Sequence, residues 1–247
     1  MSLARLAVIA ALALLAPGIA SAQSIAAAVA SPARPADDVA RDGARHPAEL
    51  LAFAGIKPGD RVADLMPGGG YFSRLFSLEV GATGRVYAVV PAELAQVAPK
   101  AVDAAKAVAA NPAFSNVTVE VISAATLPLP EPLDLAWTSD NYHDLYGFFG
   151  ADQALAFDKA VFRALKPGGV FIVIDHTAAT GADIATIKRL HRIDPALVKA
   201  QALAAGFTLE AESALLANPA DPHADPVFAP SIRGKTDQFV FRFRKPG

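Results

Sequence analysis

Two groups of residues in this sequence have types and spacings suited to small-molecule chemistry. In the first, the apolar run beginning at Arg61 ends in Asp64. Met66 and Pro67 follow, then Gly68, Gly69 and Gly70, and an amphipathic run opens at Tyr71. That order reads as strand, tight turn and helix start. Glycines let the backbone pass close beneath a ligand, and free amides at a helix start favour a carboxylate or phosphate. The bland alternative is a strand-to-helix turn with no ligand. The second group is Asp140, Asn141, Tyr142, His143 and Asp144, joined further along by Asp175 and His176. Both parts follow apolar runs, so both fall where strands end. An open α/β sheet places its ligand at strand ends. His143, Asp144, Asp175 and His176 are also metal-ligand types. No tight His-x-x-x-His spacing accompanies them, so no metal is expected.

The elements that must position these groups alternate. Strands are expected at Arg61 to Met66, Arg85 to Val90, Val117 to Ile122, Leu133 to Thr138, Val170 to Asp175, Phe207 to Leu215 and Gln238 to Arg244. Helices are expected over Asp37 to Gly55, Tyr71 to Val80, Ala92 to Ala110, Asp152 to Leu165 and Pro195 to Ala205. Lys166-Pro167-Gly168-Gly169 is a turn. Such alternation predicts an α/β fold, a doubly wound and mostly parallel seven-stranded sheet covered on both faces. The last two strands are separated by a polar loop with no helical pattern. Strands joined that way are normally antiparallel, so a reversed strand is expected near the C-terminus. The basic ending Arg242-Phe243-Arg244-Lys245 reads as the end of an edge strand. Asp194-Pro195 has the form of a helix N-cap with proline at the first helical position. Asp221 to Pro226 reads as a lid or turn loop, and Arg233, Lys235 and Asp237 are expected to fix the final hairpin, the alternative being that they close over the site.

The N-terminus has a different character. Arg5 precedes an apolar stretch from Leu6 to Leu15, Pro17 and Gly18 break it, and Ala20-Ser21-Ala22 is a small-residue cleavage pattern. This predicts a signal peptide over residues 1–22 and a periplasmic or secreted protein. The apolar run is short of the roughly 20 residues of a membrane span. Residues 23–36, rich in Ala, Ser and Pro, read as a flexible leader, and residues 37–247 as one domain. The 247 residues, 53% hydrophobic, suffice for a full core. A formal net charge of −2 argues against nucleic acid as the main partner. The absence of cysteine excludes disulfides, thiolate catalysis and cysteine-based zinc sites.

From about His46 to Pro246 the chain resembles the class I S-adenosylmethionine (SAM)-dependent methyltransferases. The likeness is carried by VADLMPGGGYFS, GRVYAVVP, LDLAWTSDNYHDLY and LKPGGVFIVIDH. More narrowly, HRIDPALVKAQALAAGFTLEAES and RGKTDQFVFRFRKP are similar to a group of uncharacterised, often exported bacterial predicted methyltransferases. The resemblance implies SAM as cofactor and a small-molecule or envelope substrate. It places Asp64, Gly68, Gly69, Gly70, Tyr71, Ser123, Ala124 and Asp140 at the cofactor. Three positions depart from the superfamily pattern. Met66 stands where a glycine is usual, Val89 and Val90 where an acid holds the ribose hydroxyls, and Ser123 where an acid often meets adenine. Glu93 is the nearest carboxylate to the ribose position. Methyl transfer from a sulfonium depends mostly on positioning, and a base is needed only for a protonated acceptor. His143 is the expected base, with Tyr142 stacking on adenine or shaping the acceptor pocket and His176 beside it. The alternative is an exported, non-enzymatic small-molecule-binding protein on the same scaffold. A nicotinamide-dependent oxidoreductase fits less well, because it needs an acid about 20 residues beyond the glycines.

Overall fold

The computed structural model describes the backbone of residues 17–247 and the side chains of residues 22–247. The expected signal-peptide residues 1–16 lie outside them. The sheet has seven strands: β1 (Arg61–Leu65), β2 (Arg85–Pro91), β3 (Val117–Ile122), β4 (Leu133–Ser139), β5 (Leu165–His176), β6 (Thr208–Ser213) and β7 (Gln238–Arg244). Their spatial order is β3-β2-β1-β4-β5-β7-β6. All neighbours are parallel except β7, which runs antiparallel to both β5 and β6. The reversed strand is therefore present, but it is not an edge. β7 lies between β5 and β6, and Phe239, Phe241 and Phe243 all point from one of its faces into the same core. The Lys166–Gly169 turn is absorbed into β5 as a register shift opposite Leu133 and Leu135. Its backbone clasps the end of β7, the Gly168 amide donating to Lys245 O (3.0 Å).

Period-two alternation assigns the strand residues to two cores. Val62, Leu135 and Ile172 face one, and Ala63, Ala136 and Phe171 face the other. The first core is covered by α1 (Pro17–Val29), α4 (Pro47–Ala54), α5 (Tyr71–Val80) and α7 (Lys100–Ala109). At its centre Trp137 is fully buried against Phe72 (4.7 Å) and Phe76 (5.2 Å). Its indole N–H has no hydrogen-bond partner among the described residues. That omission costs ~1–3 kcal/mol, offset by the aromatic burial. The second core is covered by α8 (Tyr142–Phe149), α9 (Ala151–Ala164), α10 (Ile184–Leu190) and α11 (Pro195–Ala205). Asp194 caps α11 as its sequence suggests, accepting from the Ala196 amide (2.8 Å).

Three expectations change. Residues 23–36 are not a loose leader. Ala-rich sequence favours helix, and α1 buries Ile25 and Ala28 while Ser24 Oγ donates to Glu79 Oε1 (2.7 Å). Arg34 then forks onto Asp42 (2.8 and 2.5 Å). The expected cleavage point after Ala22 falls inside α1. The helix expected over 37–55 is three short ones, α2 (Ala36–Val39), α3 (Asp42–Arg45) and α4, broken where His46 turns left-handed (φ 45°) before Pro47. The helix expected over 92–110 divides into α6 (Ala92–Val97) and α7, because Pro99 forces Ala98 out of helical conformation (φ −136°, ψ 65°). Among the described residues no helix is long and apolar enough to cross a membrane.

Tyr142 on α8 is fully buried, and its hydroxyl donates to Asp158 Oδ2 on α9 (2.8 Å). Asp158 is also fully buried, with Oδ1 unpartnered among the described residues. Burial pushes its carboxyl from 3.8 up to about 8, against the opposing hydrogen bond from Tyr142. The folded state thus holds this proton more tightly than the unfolded chain. The group's stability contribution is full below the unfolded value and drains away as pH rises toward 8. Asp158→Asn keeps the bond from Tyr142 and removes the titration. The variant should gain on the order of 2–3 kcal/mol relative to the parent between pH 5.5 and 8.5, read from denaturant melts. Parallel pH profiles for variant and parent would contradict this reading.

Candidate active site

At the carboxyl ends of β1, β2 and β4 lies a cavity of about 670 Å³. Its floor is the β1 end. Asp64 is buried there and accepts from Ser73 Oγ of α5 (2.5 Å). Burial raises this carboxyl to about 6, against the pull of Ser73. Met66 then adopts a left-handed backbone (φ 59°) at the position where the superfamily loop has glycine. An L side chain is strained there. The turn is held by its amide donating to Val89 O (2.8 Å) and by Asn141 Nδ2 donating to Met66 O (3.0 Å). Thr138 Oγ1 fixes the Asn141 amide in turn. Asn141 is thus a brace for the loop, legible in the sequence only as one polar residue among several.

Gly68 and Gly69 line the cavity, and a Cβ on either would meet nothing within 4 Å. Gly70 does not line it. A Cβ there would lie 2.4 Å from Val108 Cγ2, so that glycine serves the packing of α7 onto the loop and not the ligand. Tyr71 lines the cavity and donates to Asp42 Oδ1 (2.6 Å), with the Arg41 and Arg45 guanidinia each 4.9 Å from its ring centre. Across the cavity Glu93 accepts from Ser123 Oγ (2.7 Å) and from the Ala124 amide (3.3 Å). Burial alone would raise the Glu93 carboxyl, but these hydrogen bonds outweigh it and hold the group below its ordinary range. Ala124 lines the wall. Ser123 does not; it anchors Glu93.

A second, more polar cavity of about 590 Å³ adjoins the first, and Arg41, Arg45, Asp140 and Asp144 line both. Asp140, left-handed at φ 59°, accepts from Arg45 Nη2 (3.1 Å) and from Gln238 Nε2. His143 and His176 line the second cavity. His143 is 3% exposed, with Nδ1 2.7 Å from Asp175 Oδ1 and Nε2 3.3 Å from Asp144 Oδ1. Burial opposes charge on this imidazole, but Asp175 and Asp144 together outweigh it and push it up to about 10. With a carboxylate facing each nitrogen the ring keeps both protons in this arrangement, so it is not poised as the expected base unless the Nε2 proton is displaced. Asp175 is fully buried and also accepts from the His143 and His176 amides (2.7 Å each). His176 is different. Burial pushes it below its ordinary value, against the pull of Asp140 and Asp175. Its Nδ1 lies 2.8 Å from Thr236 Oγ1 and 3.3 Å from Gln238 Nε2; the amide can only donate, which favours Nδ1 as acceptor and the neutral ring's proton on Nε2. Tyr142, packed in the core against Phe157, reaches neither cavity and has no part in stacking.

Sequence reading missed Arg41 and Arg45, which the N-terminal helices carry over both cavities, whereas Arg233 and Lys235, expected to fix the final hairpin, line the second. The basic run Arg41 to His46 was the available signal for the first pair.

No family model matches the sequence. A methyltransferase from Aquifex aeolicus described as SAM-dependent superposes with TM-score 0.58 and 20% identity, covering 80% of this chain and 88% of that one. This chain has the class I methyltransferase fold. A possible exported protein of Bordetella parapertussis shares the fold at TM-score 0.54 and 19% identity, over 82% of this chain and 67% of that one. In sequence the chain is 33% identical, over 141 residues, to a ubiquinone/menaquinone biosynthesis C-methyltransferase of Hydrogenovibrio crunogenus. The match covers 55% of this chain, which spans about half (48%) of that relative's length. Within the methyltransferase fold, the glycine-loop cavity occupies the switch point between β1 and β4, where open α/β sheets bind ligands.

Proposed function

We propose that this chain is an exported, SAM-dependent methyltransferase acting on a small acidic molecule or an acidic envelope component. The observation that carries the proposal is the pair of adjoining cavities. One is floored by a glycine loop open to a ligand, the other is polar, and Asp140 and Asp144 stand between them.

The first cavity fits the cofactor on two counts. Gly68 and Gly69 leave a cradle that any side chain would fill. Glu93 presents a carboxylate in place of the missing acid after β2, and carboxylates bind paired hydroxyls well. Glu93 would hold the ribose, the glycine loop the amino-acid portion, and Ala124 and Ala125 the base. SAM would supply a methyl group activated on a sulfonium. The rest is positioning by this chain's residues. Arg41 and Arg45 roof both chambers. Arg233 and Lys235 line the second without a carboxylate partner among the described residues, which favours an acceptor bearing a carboxylate or phosphate. His176 Nε2–H donates a hydrogen bond to the acceptor, and the Asp140 carboxylate receives one from it.

Export rests on the N-terminal pattern and would leave a chain starting at Gln23, which retains Ile25 and Ala28 of α1. N-terminal mass analysis of periplasmic protein from the native host checks it; a chain beginning at Met1 would contradict it. For activity, protein incubated with methyl-labelled SAM and an envelope extract should transfer label to an acidic product. Tight SAM binding with no transfer to any fraction would favour the binding-protein alternative, to which Val90 on the cavity wall also lends itself.

A further inference from the structure

We propose that His143, Asp144 and His191 bind one divalent transition-metal ion of the zinc class at the edge of the second cavity. The residues belong to two elements. His143 and Asp144 open α8, and His191 ends α10 in a left-handed conformation (φ 53°). Gly147 lets α10 pack closely on α8, since a Cβ there would lie 3.2 Å from Ile187 Cγ2. The packing brings His191 to Asp144 across 47 residues of sequence, so no local spacing announces the cluster.

The geometry is that of a ligand set. Asp144 Oδ1 lies 3.3 Å from His143 Nε2 and 3.1 Å from His191 Nδ1, and the three ligand atoms are all within 4.8 Å of one another. Two ligands each ~2.1 Å from a tetrahedral ion stand about 3.4 Å apart, so the two pairs that share Asp144 already stand close to ligand spacing. The surroundings are built for it as well. The other nitrogen of His143 is held at 2.7 Å by the fully buried Asp175, which two backbone amides lock in place. A carboxylate behind a histidine in this way fixes the ring's direction and raises its basicity as a ligand. His191 is braced edge-on by Phe228 (ring centres 5.0 Å).

Two imidazoles and one carboxylate suit zinc and its neighbours, whereas magnesium and calcium prefer all-oxygen sets. Three protein ligands leave a coordination position open. His143 and Asp144 line the second cavity, so that position adjoins the chamber assigned to the acceptor. On the methyltransferase reading, an acceptor oxygen would bind there and lose its proton more readily. The site itself does not depend on that reading.

The test is a calorimetric titration of the full chain, stripped with chelator, with zinc alone and no SAM. One equivalent per chain is expected. Asp144→Asn, which is nearly isosteric at a part-exposed position, and His191→Asn, which tolerates the left-handed backbone, should each weaken zinc at least about 10-fold. Circular dichroism confirms that both variants fold. His223→Asn, at a histidine paired instead with Asp237, should bind as the parent does. Cobalt in place of zinc should show visible d–d bands that His191→Asn abolishes. No zinc uptake by the parent, parental affinity in either ligand variant, or magnesium binding as tightly as zinc overturns the proposal. Since SAM is absent throughout, failure here leaves the methyltransferase reading untouched.

Discussion

Gly69→Trp will bind SAM on the order of 100-fold more weakly than the parent, a loss of about 3 kcal/mol, while melting at the parental temperature. Gly69 lines the first cavity, and its ideal Cβ meets no atom within 4 Å, so a large side chain can occupy the ligand's space without disturbing packing. Its backbone is not in the left-handed region, unlike that of Gly68 (φ 55°), so the substitution carries no backbone strain. Gly69→Ala should bind nearly as the parent does. Gly70→Ala should show the opposite signature. Its Cβ would lie 2.4 Å from Val108 and its φ is 78°, so it loses stability before it loses affinity. Parental SAM affinity in Gly69→Trp would remove the glycine loop from the binding site.

Arg192→Ala should destabilise the fold by about 3–5 kcal/mol. The Arg192 and Asp221 side chains are both fully buried and meet through two hydrogen bonds (2.8 and 3.2 Å). Arg192 also donates to Asp225 O (2.9 Å) and Thr177 O (3.1 Å). Asp221 in turn accepts from the Asp237 amide (2.7 Å). Burial would raise the Asp221 carboxyl, but the Asp237 amide and Arg192 outweigh it and keep the group ionised. Removing Arg192 leaves that charge buried without its cation. It also releases the connection between β6 and β7 that carries Arg233, Lys235 and Thr236 to the second cavity. Thermal melts should fall by roughly 10 °C, and Arg192→Ala with Asp221→Asn should recover part of the loss. A change below about 1 kcal/mol would show that the pair is dispensable.

Most strands were legible because their apolar runs are bounded by turn residues. β1, β2, β3, β4 and β7 begin where their sequences predict and end within a residue of the expected limit. The reversed β7 followed from connection type. The position of β7 did not. Its basic ending suggested an edge, whereas Arg242 and Arg244 lie alongside Glu210 of the neighbouring β6, which satisfies their charge. α8 escaped notice because its residues, from Tyr142 to Phe149, are aromatic and polar around Gly147, a poor helix former that only the packing of α10 explains. The site was half legible. Asp64, Gly68, Gly69, Tyr71, Ala124 and Asp140 do line the first cavity, whereas Gly70 and Ser123 support it from behind. Tyr142 and His143 look alike in sequence as strand-end polar residues, yet successive helix positions point one into the core and the other toward the second cavity. The sequence grouped His143 with Asp144 and Asp175, which decide its chemistry, whereas the approach of His191 depends on the packing of α10 on α8 and is invisible to local pattern.

The central claim is that the first cavity binds SAM, and calorimetric titration of the purified chain with SAM tests it most directly. The account predicts one molecule per chain with micromolar affinity, about −8 kcal/mol, competed by S-adenosylhomocysteine and weakened by Glu93→Ala. Folded protein that gives no binding heat up to millimolar SAM would contradict it.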